Sequence, residues 1–184
     1  MNYRNDNQIA ADIKSLVDGF IRVTDALSGW ETVQMYQRVQ DADMDKVVRF
    51  FTVTSNRMGW QGRENAVMQS DGKMYRTERW RETRRVQFDC LKARKNSDTT
   101  STITAVDAAR LLIAFFNGFE ATQAMKNLGY NRLELRNLRV PVEFDDTDRF
   151  RVWPGFDLIL VYDQELTMQI PATDKLAATG IYPI

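Results

Sequence analysis

The segment from Phe156 to Ile170 constrains the fold of this chain more than any other part of the sequence. Apolar residues occupy almost every second position, and the positions between them are mainly polar or acidic. This alternation is typical of a β-strand with one buried face. At about 3.3 Å per residue the strand would be roughly 50 Å long, several times the usual length. We therefore expect it to bend at a bulge, or one end to leave the domain and pair with something else.

A second long extended segment runs from Met74 to Arg94. From Val86 onwards its residues alternate between apolar and polar, which predicts a strand inside the sheet. The first half, residues 74–85, carries too many charges for a core strand, so we expect it to project or to lie at an edge. Residues 58–73, just before it, are polar and lack a regular period. They predict a long loop or flap with a turn at Asp71–Gly72.

Apolar residues at helical spacing predict three helices, which cover residues 7–27, 105–117 and 119–128. The first would be capped by Asn5 or Asp6, since both residue types accept hydrogen bonds from free main-chain N–H groups. Thr104 and Asp107 have the spacing of a capping box at the start of the second helix. These signals place one helix before most of the strands and two helices in the middle of the chain.

Further strands are predicted at residues 32–39, 47–56, 132–144 and 149–153. In the predicted strand at residues 132–144, the apolar residues change from one face to the other near Asn137, which predicts a bulge. Pro141 in the same strand predicts an edge position or a break in pairing. The fold class is therefore α+β, with an antiparallel or mixed twisted sheet, helices on one face and a long extended β-ribbon. We expect a single domain over residues 1–184. Residues 171–184 fit either a disordered end or a C-terminal arm that docks on a neighbour.

The amino-acid composition excludes most kinds of catalytic site. The chain has no histidine, which removes Ser-His-Asp and Cys-His triads and histidine-ligated metals. The single cysteine, Cys90, shares a strand face with Val86 and Phe88, so we interpret it as a small buried side chain rather than a reactive thiol. No apolar run approaches the roughly 18 residues that span a bilayer. The prediction is a protein that is not an enzyme, with no catalytic, cofactor or metal site and no membrane partner.

The distribution of charge is uneven although the formal net charge is zero. Residues 73–95 carry a net charge of +6, and residues 143–165 carry −5. These segments could pair within one subunit, meet head-to-tail between copies, or leave the basic segment to bind nucleic acid, with Tyr75 and Trp80 stacking on bases. From this segregation we predict an interface that consists of Arg76, Arg79, Trp80, Arg81, Arg84 and Arg85, with Asp145, Asp146 and Asp148 as their candidate partners.

The order of elements resembles a known family. After the central helix pair come a strand with Asn137-Leu138, an acidic turn, and the run F-x-V-W-P-x-F-D-L-I-L-V-Y from Phe150 to Tyr162. Over roughly Ile9 to Ile170 this resembles the neck and tail-terminator proteins of contractile-tailed phages and prophages.

The resemblance implies a virion structural protein of the tail or neck, which is assembled in the host cytoplasm. Such a subunit would form a homohexameric ring that caps the tail tube, and often the sheath, and joins it to the head-side connector. Genomic DNA would pass through the lumen without sequence-specific contact. The alternatives are a head-completion or tube-like virion subunit and, from another class, a small non-enzymatic nucleic-acid-binding module.

Overall fold

The computed structural model describes residues 4–34, 45–63, 67–92, 102–140, 142–144 and 150–170. Its helices are α1 (Asp6–Val23), α2 (Ala105–Asn117) and α3 (Phe119–Asn127), with a short 3₁₀ turn at Asp25–Leu27. Its strands are β1 (Glu31–Gln34), β2 (Val47–Arg63), β3 (Val67–Met68), β4 (Met74–Leu91), β5 (Tyr130–Arg139), β6 (Val142–Phe144), β7 (Phe150–Val152) and β8 (Gly155–Ile170).

Six of these strands form one mixed sheet in the order β1-β2-β4-β8-β5, and β3 pairs with the outer end of β4. The β1–β2 pair is parallel, and the other pairs are antiparallel. Strands β6 and β7 form a separate antiparallel pair. The predicted α+β class with a mixed sheet is therefore confirmed.

The two longest strands predicted from the sequence lie side by side. Sixteen consecutive residue pairs, from Met74 opposite Ile170 to Asp89 opposite Gly155, join β4 to β8 without a register shift. Strand β5 accompanies β8 only as far as Tyr162, which lies opposite Tyr130. Strand β8 has no register shift against β4, and its outer end continues past β5 but stays paired with β4 of the same chain. Pairing of that end with a further partner therefore stays a prediction.

The core lies between the helices and one face of this sheet. Phe88 of β4 stacks on Phe156 of β8 with ring centroids 4.9 Å apart, and Phe116 of α2 packs against both rings. All three side chains are fully buried. Burying one such side chain contributes about 1.5–3 kcal/mol relative to leaving it exposed. This aromatic cluster holds α2 against the two central strands.

Local signals set the ends of the helices as expected. The Asn5 side chain accepts a hydrogen bond from the main-chain N–H of Gln8, and the Gln8 side chain accepts one from Asn5, which completes a capping box. Thr104 and Asp107 form the second predicted box, at the start of α2. The first helix ends at Val23, earlier than predicted, because the chain tightens into the 3₁₀ turn.

Two predictions about the extended segments are wrong. Residues 74–85 do not lie at an edge, because β4 has β2 on one side and β8 on the other, although residues 74–82 do extend beyond β1 and β5 as the other alternative predicted. Residues 58–73 are not a long loop either: β2 continues to Arg63 and β3 follows at Val67–Met68. Strands pair through main-chain hydrogen bonds, which form whether or not apolar side chains alternate along the strand. The side-chain pattern therefore indicated neither the central position of residues 74–85 nor the extension of β2 to Arg63. Only the turn is as predicted, with Gly72 at a φ of 73°.

The predictions for the later strands are largely confirmed. The register between β5 and β8 shifts between Arg136 and Arg139, which places the bulge next to Asn137. Strand β5 ends at Arg139, so the pairing with β8 breaks before Pro141, and β6 belongs to the separate pair. Residues 35–39 of the predicted first strand, the acidic turn 145–148 and the C-terminal segment 171–184 lie outside the described residues.

Candidate assembly surface

The part of the sheet beyond β1 and β5 is a narrow three-stranded extension, which we call the ribbon. It comprises residues 51–63 of β2, 74–82 of β4 and 163–170 of β8, and β3 pairs with β4 at its far end. Within the described ranges, no strand pairs with the outer edge of β8 over residues 164–170. A sheet edge of this length presents main-chain N–H and C=O groups that can pair with another chain.

One face of the ribbon carries exposed ion pairs between opposite residues of β4 and β8. Arg79 Nε donates to Glu165 Oε2 at 2.8 Å, and Arg81 Nε donates to Asp163 Oδ1 at 2.9 Å. The hydrogen bond with Asp163 raises the pKa of Arg81 above its ordinary value. Exposed pairs of this kind contribute little to stability, because solvent screens the two charges. They neutralise the ribbon face more than they hold it together.

Farther along the same face, the carboxylate of Asp157 joins three strands. Arg85 of β4 donates to its Oδ2 at 2.5 Å, and Arg139 of β5 donates to its Oδ1 at 2.8 Å. The Asp157 side chain is almost fully buried, while both arginines are partly exposed. A buried carboxylate requires such partners, because burial of an isolated charge is strongly unfavourable. This cluster fixes the root of the ribbon.

The opposite face of the ribbon contains buried polar side chains. Arg84, only 5% exposed, donates to Asp6 of α1 at 2.5 Å and to Glu82 at 3.0 Å. Glu82 also accepts hydrogen bonds from the Ser55 hydroxyl and, at 3.4 Å, from the Gln164 amide. The start of α1 is therefore bound to all three strands of the extension through one hydrogen-bonded network.

Burial and hydrogen bonding act in opposite directions on the two charges of this network. Burial alone would raise the pKa of Glu82, but hydrogen bonds from Ser55, Arg84 and Gln164 outweigh it and lower the pKa below its ordinary value. Burial would likewise lower the pKa of Arg84, and its bonds to Asp6 and Glu82 outweigh that effect and raise it. Both groups therefore stay charged at neutral pH, and each depends on the other.

The predicted basic residues thus lie in two different environments. Arg79, Arg81 and Arg85 contact carboxylates of β8 in the same chain, and Arg76 lies 3.6 Å from Glu78. Arg84 and Trp80 are buried on the other face, where the Arg57 guanidinium lies 4.6 Å from the Trp80 ring centroid. Asp145, Asp146 and Asp148 lie outside the described residues. The predicted contact between copies is not tested by these geometries and stays a prediction.

Sequence reasoning missed the residues that anchor the ribbon, namely Asp6, Arg139, Asp157 as a shared acceptor, and Gln164. One signal was present: Glu82 and Arg84 have the same strand parity as Val86 and Phe88, so they belong to the core face. Their partners come from α1 and β8, far away in the sequence. No spacing rule connects such residues.

The structure places the single thiol in the core. Cys90 is fully buried, and burial raises its pKa to about 12, so its interpretation as a small buried side chain is confirmed. Within the described part of the chain, no group of three or more acidic, histidine or cysteine residues could hold a metal ion. No helix in that part is long and apolar enough to cross a membrane.

Two open grooves flank the sheet. One, of about 560 Å³, lies where the start of α1 meets β2, and residues 52–55 form its wall together with Asp6 and Gln34. The other, of about 380 Å³, lies between α2 and β5. Both are open to solvent rather than enclosed, so they suit contact with another surface better than enclosure of a small molecule.

Comparison with known proteins identifies a family for nearly the whole chain. The family described as E217 gateway protein gp29 matches residues 7–172, from the start of α1 to just past the end of β8. A comparison with curated proteins gives no match. The matched range includes the ribbon, the groove between α2 and β5, the first groove apart from Asp6, and the hairpin β6–β7. This chain therefore belongs to the phage gateway protein family, whose members have a structural role in the neck of the virion.

Proposed function

We propose that this protein is a ring-forming subunit of the neck, which caps the tail tube and joins it to the head-side connector. The ring would be a homohexamer through whose lumen genomic DNA passes without sequence-specific contact. The observation that carries the proposal is the ribbon: a three-stranded extension with a free edge at residues 164–170 of β8, as far as the chain is described. Membership of the gateway family supports the location in the neck.

The ribbon is suited to contact between copies for a physical reason. Isolated extensions of a sheet bury little apolar surface, and long open edges pair readily with other strands. A ring requires a heterologous contact, in which one surface of a subunit meets a different surface of the next. The ribbon edge provides the first of these surfaces. The charged side chains on its exposed face would set the register and the salt dependence of the contact.

The charge arrangement also argues against nucleic-acid binding by the isolated subunit. Affinity for the phosphate backbone requires cations that can replace released counterions. Arg79, Arg81 and Arg85 each already contact a carboxylate of the same chain. Gel retardation at low salt should therefore show no shift, and a salt-dependent shift would favour the nucleic-acid module instead.

The first experiment is the mass of the full chain, alone and after mixing with purified tail tubes, by analytical ultracentrifugation and native mass spectrometry. A hexamer in solution, or six copies at one end of each tube, is expected. A chain that stays monomeric and ignores tubes under both conditions would refute the proposal. Bound copies along the whole tube would instead indicate a tube-like subunit.

A charge-swap series then tests the predicted interface. Arg79→Glu combined with Arg81→Glu creates like-charge neighbours in the ribbon and should weaken assembly. The matched control also carries Glu165→Arg and Asp163→Arg, which restores both pairs within the chain. If these arginines contact the next copy, assembly stays weak in the control; if it recovers fully, they act only within one subunit. Arg84 is unsuitable for this test, because it is buried and its reversal would unfold the ribbon root.

A further inference from the structure

The ribbon has a second open edge, which lies along β2. Strand β1 pairs with β2 only over residues 47–50, and β3 pairs with β4 beyond the end of β2. Over the described ranges, no strand pairs with the outer side of β2 from Phe51 to Arg63. Strand β4, in the middle, has partners on both sides. The ribbon therefore presents two open edges, one on β2 and one at residues 164–170 of β8.

The two edges cannot pair with each other inside one subunit. They lie on opposite sides of β4, roughly 10 Å apart at the usual spacing of strands. The smallest closed barrels have about five strands, so a ribbon of three strands cannot curl far enough to join its own edges. A partner for either edge has to come from another part of the chain or from another molecule.

The segment that joins β1 to β2 is too short to cover the outer part of the β2 edge. It leaves β1 at Gln34, opposite Phe50, and returns at Asp45, just before β2. Fully extended at about 3.4 Å per residue, it is at most roughly 37 Å long. Because it must go out and come back, it can reach only about four residues past Phe50. The edge from about Asn56 outward is therefore beyond its reach.

Residues 171–184 follow β8 directly, and their composition does not favour a strand. Proline, glycine, alanine, aspartate and lysine, which are depleted in strands, make up more than half of this segment. Its first residue is Pro171, which has no main-chain N–H to donate. A single terminal segment can in any case cover only one of the two edges. At least one edge is left for a second molecule.

The charges of the two open strands are opposite. Strand β2 contains three arginines and no acidic residue, whereas β8 contains three acidic residues and no basic residue. Contact of β8 with β8, or of β2 with β2, brings like charges together, and contact of β8 with β2 brings opposite charges together. Arg57 lies opposite Glu82 and Asp163 opposite Arg81, so the two charges are on different faces. Their attraction therefore selects the partner strand and does not fix the register.

Both strands lack the residues that usually protect an open edge. Natural sheets place lysine and proline on exposed edges, and neither residue occurs in β2 or β8. Both strands run antiparallel to β4, so they are parallel to each other. Rotation about the axis of a ring leaves the strand direction along that axis unchanged. Strand β8 of one copy therefore meets β2 of the next as a parallel pair, as β1 and β2 do within the chain.

From the two open edges and their opposite charges we infer that residues 164–170 of β8 pair with the edge of β2 near Asn56 in a second copy of this chain. This inference rests on the proposed ring and names the second surface of its contact. Each copy uses its β8 edge toward one neighbour and its β2 edge toward the other. The contact is therefore heterologous, repeats around a closed ring and leaves neither edge of the ribbon open.

Gln169 of β8 and Asn56 of β2 suit a cross-linking test. Both are exposed, and they lie on the same face of the ribbon because they are opposite Tyr75 and Thr83 of β4. One chain carries Gln169→Cys, and a second, differently tagged chain carries Asn56→Cys. A short bis-maleimide should join them into a covalent dimer that contains both tags.

The controls separate this contact from other pairings. Ser15→Cys on α1, also exposed, in place of Asn56→Cys should give no mixed dimer, and the unmodified chain, whose Cys90 is fully buried, gives the background. Thr54→Cys, on the same face of β2, tests a shifted register. Absence of mixed dimers with both β2 positions refutes the inference. So do dimers of the Gln169→Cys chain with itself, or cross-links that form only within single chains carrying both cysteines.

Charge at the same two positions supplies an independent readout. Gln169→Arg places a cation beside the basic strand of the neighbour and should raise the concentration required for half-assembly by about threefold or more. Gln169→Glu is the matched control at the same exposed site and should not weaken assembly. Adding Asn56→Glu to Gln169→Arg should restore it. Equal effects of the Gln169→Arg and Gln169→Glu variants would contradict the contact.

The two proposals fail in different ways. If the unmodified chain forms rings and no mixed cross-link appears, this contact is wrong and the ring stands. If mixed cross-links appear but the unmodified chain forms no ring alone or on tail tubes, the ring is wrong and the pairing of the two edges stands.

Discussion

The side-chain amide of Gln164 in β8 binds both main-chain groups of Arg4. Its Oε1 accepts from the Arg4 N–H at 2.8 Å, and its Nε2 donates to the Arg4 carbonyl at 3.0 Å. The amide imitates one rung of a strand pair, so the segment before α1 is attached to the ribbon as an additional strand would be. Gln164 is only 1% exposed, which makes these bonds difficult to replace with water.

Replacing Gln164 by leucine should therefore destabilise the protein. The Arg4 N–H and C=O groups would lose their partners in a partly buried site, and the expected loss is about 1–3 kcal/mol. Urea unfolding followed by circular dichroism measures it. Gln169→Leu, on the same strand but exposed, is the matched control and should change stability by less than about 0.5 kcal/mol. Equal effects of the two variants would contradict the assigned role of Gln164.

Asp157 should contribute more to stability than the exposed acids of the same strand face. Asp157→Asn leaves Arg85 and Arg139 without their shared carboxylate. Because both arginines are partly exposed, the expected loss is about 2–3 kcal/mol rather than the full value for a buried pair. Asp163→Asn, which weakens an exposed pair with Arg81, should cost clearly less stability. Thermal unfolding of the two variants gives the comparison, and a reversed order would refute this ranking.

Stability should fall in acid partly because of Glu82. Its pKa is lowered in the folded protein, so its contribution is fully present above the ordinary value of 4.5 and is lost as the pH falls through the lower folded value. Glu82→Gln removes this titration, so its stability should depend less on pH below about pH 5 than that of the unmodified chain. Chemical unfolding measured at several pH values between 3 and 7 would test the difference, and parallel curves would exclude the effect.

The thiol of Cys90 should be unreactive in the folded protein. Its pKa of about 12 and its complete burial leave almost no accessible thiolate at pH 8. An aromatic disulfide reagent should therefore label it only as fast as the core opens, and at once in denaturant. Ser70→Cys, at an exposed position before the β3–β4 turn, should react quickly under native conditions. Rapid labelling of Cys90 in folded protein would show that the core around it is open.

Much of this fold could be predicted because the deciding interactions are local. The capping boxes at Asn5 and Thr104 involve residues three positions apart, and the bulge beside Asn137 follows from a change of parity within one strand. The length of β8 follows in the same way from uninterrupted alternation. A charged segment such as residues 74–85 gives no comparable signal. Its position in the sheet depends on main-chain pairing with β2, which is independent of side-chain polarity.

The residues of the candidate site are brought together by contacts between segments that are far apart in the sequence. The charge imbalance between residues 73–95 and 143–165 is visible in the sequence, and three arrangements were compatible with it. The register of β4 against β8 decided which acid faces which arginine: Arg81 lies opposite Asp163, and Arg79 opposite Glu165. The sequence gives no signal for the groove between α2 and β5, because Arg110 and Arg136 come together only when α2 packs on β5.

By itself, the sequence determined the class of the fold and the two overlong strands, because apolar periodicity is a local pattern that can be read along the chain. Its composition, which includes no histidine, also excluded histidine-based chemistry. Tertiary structure alone decided that the charges of β4 and β8 neutralise each other, that Glu82 and Arg84 are buried, and that the outer end of β8 passes beyond β5. These outcomes depend on strand register and on contacts between distant residues such as Arg4 and Gln164. Register is set by the packing of the whole sheet, so β8 acquires its partner strand only in the folded chain.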